Sequence, residues 1–284
     1  MRTALFVCAL LPRLAPALQL PEGLPGRRSA LAQAAAAATA AGPAALALLA
    51  GAPLPALAEV RGANSGMPTG EVAVNKFLAS KGLPPMAVPS GCSALVEYIG
   101  TAPPANIDGM KTKLRPYDNT LLVRFVFPSG WLVEAPTITE NGEAGNIAAG
   151  NYGKGDSCVF AALALPSGGS LGSLPKSFYT KWLTSQMSAD VFEDVKIKAL
   201  KPATRADGTE MVDLDFTYTL LTRAGFTVVR RGIASAMVAD GAVVGVVSAT
   251  TEMRYKELEK LLRATADSFR AYKVKAPAFP GSVV

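Results

Sequence analysis

Apolar and polar residues alternate most clearly where Val212, Leu214, Phe216, Tyr218 and Leu220 share one side and Asp213, Asp215, Thr217 and Thr219 the other. Period-two alternation of this length predicts an antiparallel strand with one buried and one solvated face. Arg223-Ala224-Gly225 then turns the chain into a strand over 226–238, and Asp240-Gly241 makes a hairpin into a third strand over 242–250. These three strands form a meander. Upstream, the apolar run of Leu121, Leu122, Val123, Phe125, Val126 and Phe127 stops at Pro128-Ser129-Gly130, and Trp131 and Val133 resume extended structure. Two further strands, 145–152 and 157–165, flank Gly153-Lys154-Gly155-Asp156, whose glycines and aspartate suit a tight turn. Val195, Ile197 and Ala199 alternate with Lys196, Lys198 and Leu200, a strand with one mostly wet face.

Helical spacing appears in two places. Pro175 stands where a helix would begin, and Phe178, Trp182 and Leu183 recur on one face behind it. A second, amphipathic helix is predicted from near Thr251 to about Tyr272, with Leu258, Leu261, Leu262, Thr265 and Phe269 on its apolar stripe. Strands on both sides of one helix, closed by another, predict an α+β domain over 116–274: an antiparallel sheet with helices packed on its faces. Residues 59–115 are punctuated by Pro84, Pro85, Pro89, Pro103 and Pro104, and read as a Gly/Pro-rich extension with two short helices, 71–81 and 93–100. As a docking arm or as a passive strap, such an extension has equal standing. The tail, 275–284, reads as loose.

The first 58 residues read as addresses. Arg2 followed by the apolar Ala4 to Leu11 and by small residues has the layout of a secretory signal peptide over 1–19. A second segment, 27–58, opens with Arg27 and Arg28 and closes with Ala56-Leu57-Ala58, the pattern of a twin-arginine export signal with an Ala-x-Ala cleavage site. Gly42, Pro43, Pro53 and Pro55 interrupt its alanine-rich run, against a membrane anchor. Two addresses in series fit a route through the secretory system into a plastid and on to the thylakoid lumen; one long secretory signal is the simpler alternative.

Cleavage after Ala58 changes the charge balance. It removes four arginines and Glu22, leaving 24 basic against 21 acidic residues, a net of +3 instead of +6. So mild a surplus argues against nucleic acid as a partner. The chain holds no histidine, which excludes Ser-His-Asp and Cys-His catalysis and HExxH zinc sites while leaving Asp, Glu, Lys and Tyr chemistry open. Cys8 leaves with the signal; Cys92 and Cys158 read as free thiols, with a disulfide as the alternative.

Several motifs in this order resemble the PsbP family of extrinsic thylakoid-lumen proteins of photosystem II. They are Pro128-Ser129-Gly130-Trp131, the strand ending Tyr218-Thr219-Leu220-Leu221-Thr222-Arg223, the hairpin at Asp240-Gly241, and Ala266-Asp267-Ser268-Phe269 in the closing helix. The resemblance spans roughly 116–272. It implies an α-β-α sandwich, no catalytic activity and a place on the lumenal face of photosystem II. There the protein would support oxygen evolution and retention of Ca²⁺ and Cl⁻, or assembly of the complex, and be monomeric outside it. Ca²⁺ binding is implied by the same resemblance, although a site relying on histidine cannot be carried over. A lumenal enzyme, a small-ligand-binding protein on the same sheet, or an assembly factor for photosystem I is the alternative.

Lys196, Lys198, Lys201, Arg223, Arg230 and Arg231 fall near a sheet edge and a hairpin, where they would meet acidic loops of a partner; scattered solvated charge explains them too. Asp213 and Asp215 share a strand face and are the candidate Ca²⁺ ligands, although two carboxylates are few for an ion that takes about 6 to 8 oxygens. Gly150 to Ser157 lacks the spacing of a phosphate loop and reads as a hairpin turn.

Overall fold

The computed structural model describes residues 66–101, 106–107, 110–111, 120–139, 142–187, 191–222 and 225–275, all within one compact unit. The targeting residues Arg27, Arg28, Ala56 and Ala58, and Arg223, lie outside the described residues. In chain order the elements are α1 (Glu71–Ser80), β1 (Cys92–Gly100), β2 (Asn106–Ile107), β3 (Met110–Lys111), β4 (Thr120–Pro128), β5 (Leu132–Glu134), β6 (Thr137–Thr139), β7 (Gly142–Ala144), β8 (Ala148–Asn151) and β9 (Asp156–Ala164). There follow α2 (Lys176–Thr184), β10 (Phe192–Thr204), β11 (Glu210–Leu221), β12 (Thr227–Ala239), β13 (Ala242–Thr251), α3 (Glu252–Ser268) and β14 (Arg270–Lys273). The fold is α+β, dominated by antiparallel sheet. Among the described residues no helix is long and apolar enough to cross a membrane.

Seven strands form the main sheet in the order β10-β11-β12-β13-β9-β8-β5, each antiparallel to its neighbour. The β12–β13 turn has Asp240 and Gly241 at φ 49° and 72°, the two positive values that match a two-residue hairpin to the twist of its strands. On one face α2 lays Tyr179, Trp182 and Leu183 over Val212, Leu214, Phe216, Ala234 and Ala236. Small residues make room for this: Ala236, Gly245 and Ala161 lie in one cross-strand row, and a Cβ on Gly245 would collide with the Trp182 ring and the Ser235 carbonyl. The other face packs Ile233, Val244, Val246 and Phe160 against Tyr255, Leu258, Leu262 and Ala266 of α3.

A three-stranded sheet, β1-β4-β14, joins that second core. Its Leu95, Ile99, Val123, Phe125 and Phe127 belong to the same cluster as α3, while Ala94, Val96, Tyr98, Leu122 and Val126 on its reverse meet Val74 and Leu78 of α1. The layers therefore run α2, main sheet, α3 beside the small sheet, and α1.

The chain departs from its sequence-based expectations at two elements. Residues 93–100, expected as a helix in a loosely structured extension, are strand β1, and α1 and β1 are integral to the fold. Both faces of β1 are buried, so its side chains show no alternation, and a short, mostly apolar segment such as Ala94 to Ile99, broken by Glu97, does not separate strand from helix. The closing helix also ends at Ser268, short of Tyr272. Arg270 donates to the carbonyls of Asp267 (3.0 Å) and Phe269 (2.7 Å), Ser268 Oγ accepts the Val126 amide at 2.8 Å, and 270–273 pair with β4 as a strand.

Candidate docking surface

The residues facing α3 across β10, β11 and β12 are set by register. Lys196, Thr217, Arg231 and Thr250 form one row; Ala199, Asp215, Ile233 and Ser248 the next; Lys201, Asp213, Ser235 and Val246 the one after. Helix α3 covers the latter two rows and stops near the first. Its opening turn is fastened there by Arg254, whose Nε and Nη2 donate to Asp156 Oδ1 and Oδ2 at 3.1 and 2.9 Å. Asp156 is buried and also accepts the Thr250 hydroxyl at 2.6 Å. Beyond this point the sheet overhangs the helix.

The overhang forms a groove of about 570 Å³ lined by Asp194, Lys196, Lys198, Thr217, Tyr218, Thr219, Val229, Arg231 and Glu252. A bulge between Glu193 and Lys196, with Asp194 at φ 52°, bends this end of β10, and a second shift follows between Ile197 and Ala199. The Arg231 guanidinium stacks 4.0 Å from the Tyr255 ring centroid, which holds it at the groove wall. Burial raises the pKa of the Tyr255 phenol above its ordinary value. Lys196, Lys198 and Arg231 are exposed and make no ion pair among the described residues, whereas Arg205, Arg254, Arg263, Arg270 and Lys273 each do.

Of the basic residues singled out from the sequence, the structure brings Lys196, Lys198 and Arg231 together. Lys201 lies apart, in a smaller cavity of about 120 Å³ with Asp213, Asp215, Arg263 and Asp267. Arg230 points to the opposite face and is buried. Its Nη2 donates to the Ala249 carbonyl at 3.0 Å, and its guanidinium lies 5.8 Å from the Tyr218 ring centroid, so it braces the sheet and is not available to a partner. Asp194, Glu252 and Val229 were not foreseen; the polar Glu193-Asp194 pair just before the Val195 alternation is the only local hint of the bulge.

Asp213 and Asp215 do share a face, but arginines occupy them. Arg205 grips Asp213 with two hydrogen bonds of 2.9 and 2.6 Å, the Ser235 hydroxyl donates to it at 2.6 Å, and Arg263 stands 3.3 Å from Asp215. This matched charge accounts for their position better than a cation does. Among the described residues no group of three or more Cys, Asp or Glu is placed to hold a metal ion. The hairpin tip between β10 and β11 is clasped by the same chemistry: Arg270 Nε donates to Asp207 Oδ2 at 2.6 Å, holding that carboxyl well below the usual range. Cys92 and Cys158 are free; complete burial pushes the Cys158 thiol up to about 12, leaving it a poor nucleophile.

No family model and no curated protein matches the chain. Among solved structures it is similar to the solution structure of cyanobacterial PsbP (CyanoP) from Synechocystis sp. PCC 6803, at 15% identity and a TM-score of 0.38, covering 59% of this chain and 98% of that one. It is also similar to PA94 from Pseudomonas aeruginosa, a protein of unknown function, at 15% identity and a TM-score of 0.28, covering 61% and 96%. At such scores neither likeness bears on what this chain does.

Proposed function

We propose that this protein is a non-catalytic extrinsic subunit or assembly factor that docks on the lumenal side of photosystem II by charge. The observation that carries the reading is the groove, where Lys196, Lys198 and Arg231 converge on one concave surface without ion-pair partners among the described residues. Exposed cations in such a setting contribute to the rate and specificity of encounter with an acidic partner and lose that effect as salt rises. The ordered motifs shared with the PsbP family, and the two addresses ahead of residue 59, favour the thylakoid lumen and photosystem II as the setting. Because arginines already occupy Asp213 and Asp215, a role in Ca²⁺ and Cl⁻ retention would be exercised through the partner.

Fractionation of thylakoids tests this directly. The protein is expected to sediment with the membranes at low ionic strength, to leave them in a high-salt wash, and to co-migrate with a photosystem II complex on a native gel. Recovery free in the lumen with no photosystem complex alongside would overturn it.

A further inference from the structure

The geometry points to the occupant of the groove: an acidic polypeptide segment bearing at least one apolar side chain, laid on the sheet face and not added to the sheet edge. This presupposes the docking role proposed above and names its site and partner chemistry. Three observations favour it.

The first is the edge itself. β10 is the outermost strand of the main sheet, where a partner strand would pair, but its ladder is broken by shifts between Glu193 and Lys196 and between Ile197 and Ala199, and Pro202 has no N–H to donate. The two shifts disfavour strand addition along the stretch of β10 that borders the groove, and Pro202 does so further along the same edge. The open surface is the face, where Lys196, Thr217 and Arg231 stand side by side.

The second is the mixture of charges. Three cations line the groove, but so do the carboxylates of Asp194 and Glu252, interleaved with the Thr217 and Thr219 hydroxyls. A uniformly anionic surface, such as a lipid headgroup layer, would bring its charge against both carboxylates. A polypeptide matches such a lining, because it sets its own carboxylates against the cations and turns backbone N–H groups or a basic side chain to the acids. The third is the apolar rim: Val229 is 46% exposed in the groove wall and Leu221, on the same strand face as Thr219, is 39% exposed. An apolar side chain of the partner gains by covering them.

The test uses the full chain and a synthetic peptide rich in Glu and Asp with a single Leu, and compares K196E/K198E with K256E/K260E, which makes the same charge change on exposed lysines of α3. Binding at low salt is expected to weaken about ten-fold or more in the groove variant and less than about two-fold in the control, as close charge pairs outweigh net charge. Acylation mapped by mass spectrometry should show Lys196 and Lys198 protected by the peptide and Lys256 and Lys260 unprotected. Equal loss in both variants, or vesicles of phosphatidylglycerol binding as tightly as the peptide and through the same lysines, overturns the assignment. The two proposals separate on thylakoids. If the wild type binds membranes and the groove variant binds as well, the site is wrong and the docking role stands; if the wild type binds the peptide through the groove and fails to bind thylakoids, the site stands and the docking role falls.

Discussion

The two faces of the main sheet carry opposite kinds of order. Against α2, small and large residues interlock: Trp182 lies over the row of Ala236, Gly245 and Ala161, and Phe216 fills the space left by Gly232. Against α3, an apolar centre of Ile233, Val246 and Phe160 is bordered by charges, with Asp156 bound to Arg254 at one end of the helix and Asp213 to Arg205 at the other. The first face is interlocked by shape, the second is apolar at its centre and charge-matched at its border, and among the described residues it is this second face that runs on into the groove of about 570 Å³. Surface available for a partner thus arises where packing gives way to polar pairing.

The contrast can be broken most severely on the shape side. Gly245→Val should cost about 3 kcal/mol or more, because neither the Ser235 carbonyl nor the Trp182 ring can retreat within a filled core; urea unfolding measures it, and a loss below about 1 kcal/mol would mean that α2 is loosely held. On the charge side, Asp156→Ala should cost about 2–4 kcal/mol, since it strands the Thr250 hydroxyl and leaves the partly buried Arg254 with only the long, exposed contact to Glu257 at 3.7 Å. The smallest effect is expected at the hairpin clasp, and it carries a pH signature. A carboxyl held below its ordinary pKa stabilises the fold fully above about pH 4 and loses that contribution as pH falls through its depressed value. Asp207→Asn should therefore lower the unfolding midpoint at pH 6, with the gap to wild type narrowing steadily below about pH 4; a gap independent of pH would show that the Arg270 contact is not electrostatic.

Legibility from sequence followed the same division. The β11 alternation, the Asp240-Gly241 hairpin and the start of α2 behind Pro175 were readable, because each depends on neighbours in the chain. Strand β1 was not, since burial on both sides erases the alternation that marks a half-exposed strand. The end of α3 was missed because what halts it, pairing of 270–273 with β4, lies far away in sequence. At the site, spacing placed Lys196 and Asp215 on their faces. It could not show that Arg263 of α3 would come to Asp215, that Arg230 would turn inward, or that Glu252 would border the lysines. Cross-element charge matching depends on how the helix lies on the sheet, and no local pattern encodes that.

The small sheet has a consequence for how the molecule is made. Its middle strand, β4, borders β1 on one side and β14 on the other, and 142 residues separate Val126 from Ser268, whose side chain receives its amide proton. A ribosome delivers the β1–β4 pair well before it delivers β14, so one edge of a largely apolar strand waits for its last neighbour while the whole main sheet is being made. The small sheet therefore closes only once its last strand has been made, and until then that apolar edge is open to pairing with the wrong partner.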